Sequence, residues 1–312
     1  MHVIFARNVA EALPLGVDYL MQYGNNEPSR AGRVFVAPTP VTTVYHKPNE
    51  RVLLSATRDA NPFFHLAEAM WMLAGRNDSA YLDQFVKTFG ARFAEPNGIV
   101  HGAYGYRWRN QFSMDQLKTV IRMLQHEPST RQAVITMWDP NDDLDRPELK
   151  DRPCNTHIYL RIRDRHLDMT VCCRSNDILW GAYGANAVHF SILQEYLAAQ
   201  IGVELGTYYQ VSNNFHVYVD ELERHPGSMA DARHYPTVPL VDDPASFDDE
   251  LRMLMEGWKP TRNLFLSETV YWMLEAYLVR HVPRDVKECL EQVKAQDWRV
   301  AAQEWVARRS KI

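Results

Sequence analysis

Residues 157–173 carry two runs of alternating apolar and polar side chains, Ile158, Leu160, Ile162 and then Leu167, Met169, Val171, split by Arg163-Asp164-Arg165-His166. A period of two puts these six apolar groups on one face, which predicts an antiparallel hairpin with one side buried. Shorter apolar runs at 133–138 and 206–211 read as further strands. Helical spacing governs other stretches. Phe63, Phe64, Leu66, Ala67, Met70, Trp71 and Leu73 mark a buried helix over 62–75, and 186–200 returns to the same period. Ser113-x-x-Gln116 reads as a capping box opening a helix that ends near residue 125. Beyond Tyr235 the chain is mostly polar, with helices expected at 267–281 and 286–309 and their charged faces solvated. Long-range strands with segregated helices imply an α+β fold, a mixed sheet with flanking helices.

Composition narrows the function. A net charge of −5 over 312 residues argues against a protein that grips nucleic acid by broad electrostatics, yet leaves room for one phosphate pocket. No apolar run approaches a membrane span, and residues 1–16 lack the apolar core and cleavage site of a secretion signal. Four cysteines without a C-x-x-C pair or a His/Cys cluster suggest neither a disulfide framework nor a metal site. They fit a reducing, cytoplasmic setting. Two segments, 25–33 and 140–153, are rich in proline and charge and read as loops of the kind that carry functional residues.

The second loop ends at Pro153-Cys154, where the chain enters a strand beside the polar Asn155 and Thr156. A lone cysteine is ordinarily a small core residue. Here a cation could shift the thiol down toward thiolate, and Arg174 at the end of the next strand could supply it. The run Cys173-Arg174-Ser175-Asn176-Asp177 joins a cation, a hydroxyl, an amide and a carboxylate, which suits an anion and a heterocycle as well as a solvated turn. His65 and His189 have helical neighbours and read as packed residues, at least one of Cys172 and Cys173 as core, while His157 lies close enough to reach a site at Cys154.

Together, Pro153-Cys154, Arg174-Ser175-x-Asp177, Gly181, Asn186 and His216-x-Tyr218 resemble in order and spacing the thymidylate synthase family, including its phage-type pyrimidine hydroxymethylases. Glu68 within HLAEAMWMLAG resembles the family's Glu-x-x-Trp helix, residues 104–109 its Tyr-Gly-x-x-Trp-Arg segment, and Pro128-Ser129-Thr130-Arg131 its subunit-crossing arginine loop. The resemblance covers about residues 28–222. It implies a thymidylate synthase-like catalytic domain over 1–235, with 236–312 as a helical C-terminal extension packed on it.

The resemblance also implies chemistry. A one-carbon unit would pass from 5,10-methylenetetrahydrofolate to C5 of a pyrimidine nucleoside monophosphate, with no metal and with neither nucleic acid nor membrane as partner. Cys154 would add to C6 and make C5 a carbon nucleophile. Arg30, Arg174, Ser175 and, across a homodimer, Arg131 would hold the phosphate, and His216 and Tyr218 the sugar 3′-hydroxyl. Asp177 would face the pterin, with Trp71 and Phe89 along the folate, while Glu68 and Tyr104 would order water for proton transfer. Asn186 would read the base: a carboxamide that donates to O4 and accepts from N3–H fits uracil, and cytosine presents the reverse. It stands nine residues after Asp177, one more than the family spacing, and the extra residue falls within Tyr183-Gly184-Ala185.

An exocyclic methylene at C5 becomes a methyl with hydride and a hydroxymethyl with water. Several departures favour water. Where synthases set a tryptophan against the folate, this chain reads Lys87-Thr88-Phe89-Gly90-Ala91-Arg92-Phe93. Asn155-Thr156 replaces the synthase histidine and resembles a hydroxymethylase Cys-x-Asn-Thr segment shifted by one. The second arginine of the crossing loop is Gln132, and the chain runs 96 residues past His216 to a charged end, not a short apolar tail that excludes water. The expectation is a phage-type deoxyuridylate hydroxymethylase acting in the host cytoplasm. Thymidylate synthase is the alternative, followed by a dCMP or CMP hydroxymethylase and a nucleotide-binding relative without turnover.

Overall fold

In this computed structural model, which describes residues 1–309 except 147, 226, 227 and 232, ten strands form two sheets among the described residues. The larger runs in the order β1 (His2–Ala6), β4 (Val41–Tyr45), β9 (Glu204–Ser212), β7 (His166–Cys173), β6 (Asn155–Arg163), β5 (Val134–Thr136). The smaller runs β2 (Asn25–Ser29), β3 (Gly32–Val36), β10 (Phe215–Tyr218), β8 (Asn176–Asp177). Parallel pairs β1–β4, β7–β9 and β8–β10 lie among antiparallel ones, so both sheets are mixed. The alternating run folds as the β6–β7 hairpin, whose two turn residues, Asp164 and Arg165, take φ 46° and 62° to match the strand twist. The proline-rich segment 25–33, expected as a loop, pairs instead as the β2–β3 hairpin.

Helices cover the sheets. They are α1 (Val9–Tyr23), α2 (Pro62–Leu73), α3 (Gln116–His126) and α4 (Asn186–Ile201) in the first two thirds, with shorter turns between them. Asn61 caps α2 by accepting from the Phe64 N–H, and Pro62 occupies its first turn. α4 is buried nearly all round because it lies between β7 and β9 on one side and α2 and α3 on the other. The capping box expected at Ser113 does not form. Ser113 adopts φ 56°, Asp115 caps α3 through the Lys118 N–H, and the Gln116 side chain turns inward to the Arg107 and Thr136 backbone.

The last third is more deeply packed than its polar composition implies. It holds α5 (Phe247–Met255), α6 (Tyr271–Leu278), α7 (Pro283–Gln292) and α8 (Gln296–Arg309). The Tyr277 and Trp305 rings sit 5.4 and 5.5 Å from that of Phe63 on α2, and the Tyr277 hydroxyl donates to the Phe85 carbonyl. α5 has no counterpart in the sequence reading, because its acidic first turn masks buried Phe247, Leu251 and Leu254. The single helix expected over 286–309 is two, since Val293 turns extended and buries itself with Ala295. Residues 310–312, invoked for the charged end, lie outside the described residues. No helix among the described residues is long and apolar enough to cross a membrane.

One buried ion pair ties the segment after α2 to the loop before β6. Arg107 and Asp143 are both fully buried, with Nη1–Oδ2 at 2.7 Å and Nη2–Oδ1 at 2.9 Å, and the guanidinium also donates to the Met137 and His101 carbonyls. Burial pushes the Asp143 carboxyl up, but Arg107, the Asp139 N–H and His101 together hold it below the ordinary carboxylate value. Asp143→Ala leaves a buried, unpaired guanidinium and should cost about 3–5 kcal/mol in urea unfolding at neutral pH. The folded carboxyl titrates below the unfolded one, so its contribution is complete above about pH 4 and disappears as pH falls through the folded value. Native stability should therefore drop more steeply with acid than that of the variant. Equal stability at neutral pH would contradict the clamp.

Candidate active site

The entrance of β6 is held by its own backbone. The N–H groups of Cys154 and Asn155 both donate to the Tyr104 hydroxyl at 3.2 Å, and the Arg174 N–H donates to the Cys154 carbonyl at 2.8 Å. Gly105 lets Tyr104 come this close: a Cβ there would meet the Met72 carbonyl oxygen of α2 at 1.9 Å. The Arg174 side chain folds back on the same loop, donating from Nε to Pro153 O at 3.0 Å and from Nη2 to Arg152 O at 3.1 Å. Between Asn155 and His157 the β6–β7 register shifts, a bulge that leaves Asn155 opposite Cys173 and fully buried.

The Cys154 thiol is half-buried beside Arg174, but its acidity is the reverse of the expectation. Burial pushes it up, Arg174 pulls it down, Asp151 pushes it up again, and the balance lies above the ordinary thiol value. The resting group is a neutral thiol, with Arg174 moderating the effect of burial.

Asn186 reaches the start of β6. The turn Ile178–Ala185 is π-helical, a widened turn, and loses helical geometry at Tyr183 and Gly184. Asn186 follows as the first residue of α4, its Oδ1 accepting from Asn155 Nδ2 at 3.1 Å and its Nδ2 donating to Asn176 Oδ1 at 3.0 Å. Asp177 accepts from the Leu179 and Trp180 N–H groups through Oδ1, while Oδ2 is buried without a hydrogen-bond partner among the described residues. The β8–β10 pairing sets His216 opposite Asp177, and the Tyr218 ring lies 5.5 Å from that of His216. Burial pushes the Asp177 carboxyl up and the His216 imidazole down, both toward their neutral forms. An orphaned acceptor at Asp177 Oδ2 fits a heterocycle bearing adjacent N–H donors, as the pterin of a folate does.

Glu68, on α2, has a close neighbour that sequence reasoning missed. Its Oε2 lies 3.2 Å from His189 Nε2 on α4, and the His189 ring is 6.5 Å from that of His65, whose imidazole burial pushes down to about 3. Helical neighbours of His189 signalled packing only, since nothing in local spacing tells which helix faces which.

Other expected residues are spread more widely. Ser175 is half-buried, its carbonyl facing Cys173 Sγ at 3.1 Å. Arg30 is exposed at the tip of the β2–β3 hairpin, and Arg131 is exposed on the turn before β5. Trp71 is 2% exposed and donates its indole N–H to Asp78 O, and Phe89, 7% exposed, packs on Phe64 and Phe93, so neither presents an open face. His157 is half-buried beside Tyr159, and Cys173 belongs to the core.

Alkylation of Cys154 by iodoacetamide should accelerate with pH along a curve whose midpoint lies above the ordinary thiol value, near 8.5. Arg174→Ala should move the midpoint higher still. A midpoint near or below neutrality would show that the guanidinium prevails over burial.

With this geometry in hand, comparison with known proteins is informative. Residues 16–260 match the family model described as Thymidylate synthase, a wider span than the motifs alone covered. Relatives include a Deoxyuridylate hydroxymethyltransferase of Pseudomonas phage M6, 41% identical over 99% of this chain and 95% of that protein. Proteins of the same name from Bacillus phage SP01 and Delftia phage PhiW-14 are 38% and 30% identical, over 58% and 55% of this chain and 50% of each relative. The chain belongs to the thymidylate synthase family.

Proposed function

We propose that this protein transfers a one-carbon unit from 5,10-methylenetetrahydrofolate to C5 of dUMP and completes the reaction with water, giving 5-hydroxymethyl-dUMP. The observation that carries the reading is the hydrogen bond between Asn155, the residue after Cys154, and Asn186, a carboxamide that can pair with uracil. The name of the Pseudomonas phage M6 relative points the same way.

Cys154 Sγ bonds to C6, the pyrimidine C5 then attacks the methylene carbon carried by the folate, and loss of the C5 proton to water ordered by Glu68 and Tyr104 expels the folate nitrogen, so that an exocyclic methylene remains on the ring. The thiol proton must leave as the nucleotide arrives, since the resting group is neutral. The folate supplies the methylene carbon. Water then adds to the exocyclic methylene of the pyrimidine as the C6–S bond breaks. His189 Nε2 stands 3.2 Å from Glu68, and Asp177 Oδ2 takes the pterin N–H groups. Segment 87–93 offers Phe89 and no indole, which leaves the methylene open to water.

Arg174, Ser175 and Arg30 hold the phosphate, His216 and Tyr218 the sugar. Val134 and Tyr159 stand 41% and 47% exposed on the larger sheet, a face that a second copy would cover while bringing its Arg131 to the phosphate. The C-terminal helices act as part of the same body through their contact with α2. The setting is the cytoplasm of a phage host.

The test is product analysis with dUMP and methylenetetrahydrofolate. The expected products are hydroxymethyl-dUMP and tetrahydrofolate. dTMP with dihydrofolate would instead assign a synthase. No release of tritium from C5-labelled dUMP would reduce the protein to a nucleotide binder, and Cys154→Ala should lose tritium release entirely.

A further inference from the structure

Three buried carboxamides and one hydroxyl form a single line behind the nucleophile. Asn155 Nδ2 donates to Asn186 Oδ1 at 3.1 Å, Asn186 Nδ2 to Asn176 Oδ1 at 3.0 Å, and Asn176 Nδ2 to Ser212 Oγ at 2.9 Å. Asn155, Asn176 and Ser212 are each no more than 2% exposed, and Asn186 is 7% exposed. All three bonds run in one direction. We infer that Asn155 and Asn176 are positioning residues that select dUMP over dCMP, by fixing which end of the Asn186 carboxamide meets which atom of the base. The inference rests on the reading of Asn186 as the residue that pairs with the base.

The physical case is one of counting donors and acceptors. A free carboxamide can turn over and present either pattern at almost no cost, so an isolated asparagine discriminates poorly between uracil and cytosine. Asn186 is not isolated. With one lone pair taken by Asn155 and one N–H given to Asn176, its remaining lone pair and N–H match N3–H and O4 of uracil. Turning it over would set N–H against N–H at Asn155 and oxygen against oxygen at Asn176, unless both neighbours turned with it. Ser212 can donate or accept and does not choose the direction. The other end does. Asn155 Oδ1 is buried without a partner, and an idle carbonyl oxygen is tolerated in a closed site more readily than an orphaned N–H, which reversal would create. Gly181 keeps the line closed, since a Cβ there would stand 2.5 Å from Asn176 Oδ1.

The test is calorimetric binding of dUMP and of dCMP without folate, paired with the ratio of their kcat/KM values, on native protein and four variants whose folding is checked by thermal unfolding. Native protein should favour dUMP at least tenfold. Asn155→Ala removes the pin and should bring the two nucleotides within about threefold, chiefly by strengthening dCMP. Asn155→Asp offers only acceptors, should turn the whole line around, and should favour dCMP. Asn176→Asp still accepts from Asn186 and should hold the native ratio. Asn186→Asp should favour dCMP whatever the neighbours do. If both Asn155 variants keep the native ratio while Asn186→Asp inverts it, the inference is overturned and the base-reading role of Asn186 survives. If Asn186→Asp also leaves the ratio unchanged, the base-reading role itself is wrong. Should Asn155→Asp fail to fold, the alanine variant decides alone.

Discussion

Two backbone N–H groups, from Cys154 and Asn155, converge on the phenol oxygen of Tyr104, and the site is built around that meeting point. It joins segments some fifty residues apart in the chain. One side is fixed because Gly105 lies against the α2 backbone, and the other because Arg107 and Asp143 lock the preceding loop. A buried ion pair of this kind adds little net stability over apolar packing, but removing one partner is costly. Its value here is geometric: it gives the strand entrance one position.

The electrostatics of the site follow from enclosure. Burial pushes the Cys154 thiol up and drives Asp177 and His216 toward neutral forms, while the guanidinium of Arg174 stays exposed at the edge. An enclosed interior with the Arg174 guanidinium at its edge suits a nucleotide, whose base is uncharged and whose phosphate is anionic.

Much of this was legible in the sequence, for definite reasons. The β6–β7 hairpin and the α2 helix follow from apolar period alone, and among the motif residues Tyr104 and Arg174 meet the Cys154 loop, Asn186 bonds to Asn155, and His216 pairs with Asp177. What periodicity cannot report is which faces meet. The contact of His189 with Glu68 and the bond of Asn155 to Asn186 both depend on how α4 settles against α2 and β6. The thiol was misjudged because one neighbouring cation is visible in sequence and the extent of burial is not. The Ser113 capping box failed for a related reason: Gln116, needed for it, finds stronger partners in Arg107 and Thr136 across the fold.

The most direct test of Cys154 as the attacking atom uses 5-fluoro-dUMP, whose C5–F bond cannot release a proton and so halts the reaction after carbon transfer. With methylenetetrahydrofolate present, mass spectrometry of the digested protein should find nucleotide and folate together on the peptide that carries Cys154. An adduct on another residue, or none while dUMP is still turned over, would contradict covalent attack by this sulfur.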